Sequence, residues 1–231
     1  MGNSTGLDYT KKSQFRCQLI SWGEVERMSR DLARMVHISK FKPEIIVAIG
    51  RGGYVPARVV CDYLLFRDLT TIKMEHWGVA ATIDDMAHIR FGLSTDISNM
   101  RVLLVDDVTD TGDTLLEALH YIMDCQPSEV RTAVLQHKTC SSYVPDYYAH
   151  RIVKWRWVIY PWAMFEDLSG FIGRITGEEW KTAQEIQQRL FHDFKLSIGL
   201  GKLGRILIDM EMHGMIESTN RKGRIVYRKA D

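Results

Sequence analysis

Thirteen consecutive residues, Val102-Leu-Leu-Val-Asp-Asp-Val-Thr-Asp-Thr-Gly-Asp-Thr114, concentrate more chemistry than any other stretch of the chain. The apolar start reads as a strand buried in a parallel sheet, and it delivers two adjacent acids, Asp106 and Asp107, at its carboxyl end. A loop holding Thr109, Asp110, Thr111, Gly112, Asp113 and Thr114 then runs straight into a helical pattern. Backbone amides in such a loop, aimed with the positive end of a helix dipole, make a cradle for a phosphate. The hydroxyls of Thr109, Thr111 and Thr114 can add donors. Two carboxylates beside that cradle suit vicinal sugar hydroxyls and a hard divalent cation such as Mg²⁺. The residues alone ask for a ribose phosphate with magnesium.

The elements that must hold this loop follow from periodicity. Short, almost wholly apolar runs at 44–50, 102–105 and 130–135, with weaker ones at 71–74 and 157–160, predict strands. Helical patterns lie between them, near 55–66 and 114–123. An earlier one starts behind Ser21 and Glu24, which form a capping-box pattern. Alternating strands and helices specify an α/β fold, a Rossmann-like, mostly parallel sheet flanked by helices. Ligands in such sheets sit at the carboxyl ends of the strands.

Past residue 170 the pattern changes. Three glycines across 170–177 suggest a linker, and Thr182 with Glu185 offers a second capping box. Ile186, Leu190 and Phe194 define one helical face; Leu203, Ile206, Leu207 and Met210 define another. Two strand patterns around Asn220-Arg-Lys-Gly223 then read as a hairpin, completing the outline of a winged helix. The expected organisation is a flexible leader at 1–17, a main domain at 18–170 and an accessory domain at 176–231. Removing everything from Thr176 onward is expected to leave the main domain working.

Composition limits the setting. Of 231 residues, 45% are hydrophobic and 26% charged, which is ordinary for a globular protein and excludes wholesale disorder. Thirty Lys and Arg against 29 Asp and Glu leave a net charge of +1, so no global attraction to nucleic acid or membrane follows. No apolar run approaches the roughly 20 residues of a spanning helix, and no secretory signal is visible. The four cysteines, at 17, 61, 125 and 140, lack paired spacing and read as free thiols in a reducing compartment. A soluble, cytoplasmic protein is expected.

The 102–114 stretch resembles the phosphoribosyl-pyrophosphate (PRPP) signature of type I phosphoribosyltransferases. A second element of that family, Ile49-Gly-Arg-Gly-Gly-Tyr-Val-Pro56, follows the first strand. Its glycines, Gly50, Gly52 and Gly53, permit close backbone approach and conformations closed to other residues, and Arg51 can donate several hydrogen bonds to a pyrophosphate. Ser21-Trp22, the His137-Lys138 pair and Trp157-Val158-Ile-Tyr-Pro-Trp162 narrow the resemblance to the xanthine-guanine branch of 6-oxopurine enzymes, over about residues 18–165.

The resemblance implies transfer of phosphoribosyl from PRPP to hypoxanthine, guanine or xanthine with Mg²⁺, releasing pyrophosphate and a nucleoside monophosphate. It implies that Asp106 and Asp107 hold the ribose hydroxyls and the metal, with Asp107 nearer the metal. The loop from Asp110 to Thr114 would grip the 5′-phosphate, and Asp110 would serve the purine N7 as acid or base. Lys138 would donate to the purine O6, Trp157 would stack on the base and the Val158 backbone would meet its edge. Arg90, in the segment where the family carries a lid (78–99), is the candidate there for the pyrophosphate. Asp113 departs from the usual small or basic residue, so its carboxylate must point away from the phosphate. The plain alternatives are a solvated loop lysine at 138 and a core aromatic at 157. A homo-oligomer, dimer or tetramer, is expected. A regulator that senses PRPP or purine and binds nucleic acid through the C-terminal module is a different reading, as is an enzyme for adenine, orotate or uracil.

Overall fold

The computed structural model describes residues 14–76 and 87–230. Residues 1–13 of the expected leader, together with 77–86, which take in 78–86 of the expected lid segment, lie outside the described residues. Two compact units divide the chain: Trp22–Trp155 is one, and residues 14–21 with 156–230 are the other. The first strand in chain order, β1 (Cys17–Leu19), belongs to the second unit, so residues 14–17 are part of an ordered body rather than of a leader.

The first unit runs α1 (Trp22–Ile38), β2 (Ile45–Gly50), α2 (Tyr54–Tyr63), β3 (Leu69–His76), β4 (Ala87–Phe91), β5 (Arg101–Thr109), α3 (Asp113–Asp124), β6 (Glu129–Lys138) and β7 (Tyr147–Ile152). Its strands pair in the order β4-β3-β2-β5-β6-β7, parallel throughout except for β4 against β3. Every residue of β2 is buried, which is why its sequence is uniformly apolar rather than alternating. Ile45, Val47 and Ile49 of β2 join Val102 and Leu104 of β5 in one cluster with Leu115, Ala118 and Ile122 of α3. The intervening Ile46 and Leu103 are fully buried and point to the opposite face. Helices α1 and α2 also pack on this sheet.

Chain order decides where a ligand can enter. From β2 the chain moves outward to β3 and β4, then returns to β5 on the other side of β2 and continues outward to β7. Strand order therefore reverses between β2 and β5, and a crevice opens at their carboxyl ends. Ala48 pairs with Val105 across that seam, two residues before Gly50 and Asp107. Both motifs singled out in the sequence end at this one point.

The second unit pairs β1 in parallel with β8 (Trp157–Ile159) and continues through α4 (Met164–Thr176), β9 (Lys181–Thr182), α5 (Ala183–Phe194), α6 (Leu200–Met212), β10 (Ile216–Arg221) and β11 (Arg224–Lys229). The last three strands form a sheet in the order β10-β11-β9. Three expectations change here. The strand at 157 lies outside the six-stranded sheet, in its own two-stranded ribbon. The glycines at 170 and 173 sit inside α4, so the linker expected at 170–177 and the domain end at 170 fall within a helix. A Cβ at either glycine would meet nothing within 4 Å. They occupy the open side, while Leu168, Phe171, Ile172 and Ile175 form the buried face that holds the helix together despite low propensity. The helix stops at Gly177, with φ +52°. The capping box at Thr182 and Glu185 is formed as expected. The hairpin turn is shorter than its sequence suggests, with only Lys222 and Gly223 between the strands and both at positive φ.

Candidate functional site

At the β2 end the chain turns sharply through Arg51, Gly52 and Gly53 into α2, and the Gly50–Arg51 peptide is cis. Gly52 is required by approach: a Cβ there would lie 2.4 Å from Oδ2 of Asp107. Gly53 has an ordinary φ of −71°, so close approach and not special backbone freedom explains it; a Cβ would come 2.3 Å from the Val105 carbonyl. Its N–H donates back to the Ile49 carbonyl at 2.8 Å, which commits that amide to the turn. Arg51 is exposed at the turn.

Asp106 and Asp107 occupy different environments. Asp106 is only 7% exposed, and its Oδ1 accepts the Asp107 N–H at 2.9 Å. Burial, and secondarily the neighbouring Asp107 charge, push its carboxyl well above the usual carboxylate range. Asp107 is half-buried and leans on the Gly52 backbone. A cation here would relieve the repulsion between the two acids. Among the described residues no group of three or more His, Cys, Asp or Glu side chains forms a metal cage. Mg²⁺ needs none, because it takes one or two carboxylates and completes its shell with substrate oxygens and water. The donor set fits, with Asp107 the more open ligand.

The loop after β5 is braced from the segment that follows β6. Ser142 donates to the Thr111 carbonyl through both its N–H (2.7 Å) and its hydroxyl (3.0 Å). Gly112 caps α3 at φ +98°, and a Cβ there would lie 2.6 Å from the Ser141 hydroxyl. Asp113 opens the helix with its side chain exposed, where a negative charge complements the helix dipole. Thr109 differs from its expected role. It is 2% exposed, and its hydroxyl bonds Nδ1 of His137 at 2.8 Å inside the sheet, so it is not a loop donor.

The same register pairs Thr109 with His137 and so sets Asp110 and Lys138 at one level. Lys138 is 2% exposed and its Nζ lies 2.5 Å from Oδ2 of Asp110, which excludes a solvated loop lysine. The indole Nε1–H of Trp155 donates to Oδ1 of Asp110 at 2.9 Å. The Lys138 ammonium sits 4.6 Å from the centre of a Trp155 ring. The sequence reading missed Trp155, which carries no motif and follows an unrecognised strand, β7. A buried lysine paired to a half-exposed acid at a strand end is poor stabilisation and a good ligand-site signal.

Arg90 donates to both oxygens of Glu75, at 2.7 and 2.9 Å, along the β3–β4 pair. Both bonds come from the one nitrogen Nη1, and they hold Arg90 to Glu75 rather than at the expected pyrophosphate contact in this structure. In the second unit, Val158 lies opposite Gln18, and Trp157 opposite Cys17. Trp157 packs on that unit's core edge-on to Phe171, and its Nε1–H donates to Oδ1 of Asp167 at 3.0 Å. Burial raises the Asp167 carboxyl from 3.8 to about 6, against the opposing effect of the indole hydrogen bond. Between those two values the folded chain holds a proton that the unfolded chain has lost, so stability falls as pH rises through the window and is level above it. For this partly solvated group a drop of about 1–2 kcal/mol is expected after screening. Asp167→Asn keeps an acceptor for the indole and is expected to abolish that drop, as read by denaturant unfolding from about pH 4 to pH 7.

Residues 18–165 match the family described as "Phosphoribosyl transferase domain". The xanthine-guanine phosphoribosyltransferase of Idiomarina loihiensis is 28% identical over 156 residues, covering 65% of this chain and 92% of the relative. The hypoxanthine-guanine phosphoribosyltransferase of Saccharomyces cerevisiae is 31% identical over 119 residues, covering 44% of this chain and 53% of the relative. The crystal structure of a purine phosphoribosyltransferase from Pyrococcus horikoshii superposes with a TM-score of 0.56 at 30% identity, over 63% of this chain and 93% of that one.

Proposed function

The chain belongs to the phosphoribosyl transferase domain family, and from that premise we propose that it is a Mg²⁺-dependent purine phosphoribosyltransferase of the salvage type. It joins a 6-oxopurine to PRPP and releases pyrophosphate and the nucleoside monophosphate. The observation that carries the oxopurine assignment is the buried Lys138 held against Asp110 beside the phosphate loop. A lysine is donor-only, so it recognises a carbonyl such as O6 and gains nothing from adenine's exocyclic amine. The named relatives act on oxopurines and agree with that chemistry.

Displacement at the anomeric carbon builds positive charge on the ribose, as in glycoside chemistry. Most of the work is then positioning two reactants and stabilising the departing pyrophosphate. Arg51 and the Gly52 amide hold that leaving group, and the loop from Asp110 to Thr114 holds the 5′-phosphate. Asp106 and Asp107 fix the ribose hydroxyls. Asp107, with Asp106 beside it, would hold Mg²⁺, which would supply charge neutralisation for the departing pyrophosphate. Asp110 exchanges a proton with the purine N7 while Lys138 holds O6. Trp157 and Val158 enter this reading through the family resemblance alone.

We read the second unit as a winged helix: α4, β9, α5, α6 and a hairpin whose β11 pairs with β9. Its α6 exposes Ile208 and Met212 beside Asp209 and Glu211, a face better suited to packing in a homo-oligomer than to nucleic acid.

Incubation with PRPP, Mg²⁺ and each of guanine, hypoxanthine, xanthine, adenine and orotate tests the activity directly. Nucleotide should form with the oxopurines. PRPP binding without turnover on any base would favour the effector-sensing regulator. Lys138→Ala should cost about 1–3 kcal/mol in kcat/KM with oxopurines by leaving O6 unpaired. Equal losses with adenine and guanine would show that Lys138 does not read O6.

A further inference from the structure

Two tryptophans, Trp155 and Trp157, flank Arg156, and the family resemblance accounts only for the second. Trp155 reaches the acid–lysine pair from the end of the first unit. Its indole N–H takes one oxygen of Asp110 at 2.9 Å while Lys138 takes the other at 2.5 Å. Its ring also lies beneath the lysine, 4.6 Å from the ammonium, so the three groups close a triangle. The Cys140 thiol completes the surroundings, 3.5 Å from the Asp110 carbonyl and 3.9 Å from Oδ1.

We propose that Trp155 is a positioning residue for base chemistry, acting through Asp110. It occupies Oδ1 with a donor that can never accept, which fixes the carboxylate's rotation and turns Oδ2 toward the lysine and the incoming base. An aspartate has a broad, roughly two-fold χ2, so without such a pin the carboxylate would rotate freely on its 40%-exposed side. The indole ring keeps the Lys138 ammonium from swinging outward, since a cation held over an aromatic face is attracted to it. When a 6-oxopurine arrives, the lysine shares its three donors between Asp110 and O6, while the Trp155 N–H keeps its whole hold on Oδ1. Specificity for the base and proton exchange at N7 then depend on a side chain that touches neither.

This inference rests on the proposed transferase reading, and its test separates the two. Trp155→Phe keeps an aromatic face and removes the N–H. With PRPP, Mg²⁺ and guanine, kcat should fall about tenfold to a hundredfold, the size of one charge-assisted hydrogen bond. KM for PRPP should stay within about twofold, because the phosphate loop and the acid pair are untouched. In an Asp110→Asn background, the same substitution should cost little more, since both changes act through one group. A purely structural role would instead lower kcat additively in the two backgrounds, and that result would overturn the proposal. A second readout needs no turnover: the indole Nε1–H resonance of Trp155 in the ligand-free protein should move on Asp110→Asn. An unmoved resonance also overturns it. If the resonance moves but no base is ever turned over, the positioning contact stands and the transferase reading falls.

Discussion

Asp107→Asn and Arg51→Ala should each lower kcat/KM with PRPP by about a hundredfold to a thousandfold while the melting temperature moves little. The two residues sit on opposite sides of the seam where strand order reverses, one at the end of β5 and one in the turn after β2. Neither holds the core together. Arg51 is exposed, so its removal opens no cavity. Asparagine at 107 preserves shape against the Gly52 backbone and removes a charge that already repels Asp106. The loss must therefore appear in the reaction, where a cation and a leaving pyrophosphate need those charges. Steady-state kinetics paired with thermal melting decides the matter. Near-wild-type kcat/KM in either variant would remove the PRPP site from this crevice.

The acid strand was legible because burial on both faces forces an unbroken apolar run, and because a phosphate loop needs glycine and short hydroxyl side chains at set places. Gly112 at φ +98° and Gly52 against Asp107 are positions where chemistry allows no substitute, so they read directly. Other parts were hidden for physical reasons. Thr109 looks like a loop donor, but strand β5 extends through it and hands its hydroxyl to His137 across the sheet. Trp155 touches Asp110 across a sequence separation of 45, a contact that only the fold creates. Gly170 and Gly173 read as a break because propensity is local, whereas α4 is held by a face that its glycines do not share. Arg90 invited a ligand role, yet its guanidinium reaches Glu75 on the neighbouring strand, a contact that no motif announces.

That misread helix changes what truncation should do. A chain ending at residue 175 was expected to keep a working main domain; the structure predicts poor solubility and partial unfolding instead. Leu168, Phe171, Ile172 and Ile175 of α4 share one buried cluster with Ile186, Leu190 and Phe194 of α5 and with Leu203, Ile206, Leu207 and Met210 of α6. Phe15, near the start of the described chain, packs its ring 5.7 Å from Phe171 and 5.0 Å from Phe194. Deleting residues 176–231 strips the far side of this cluster at once. Four large side chains returned to water cost about 6–12 kcal/mol, which rivals the whole stability of a domain. Neither β1 nor β8 offers a replacement, since they form only a two-stranded ribbon of three residues each. The expected outcome is strong binding of a hydrophobic dye, aggregation during gel filtration and a broadened or absent melting transition for the 1–175 chain. A monodisperse 1–175 protein with a cooperative melt near that of the full chain would show that α4 does not depend on the helices behind it.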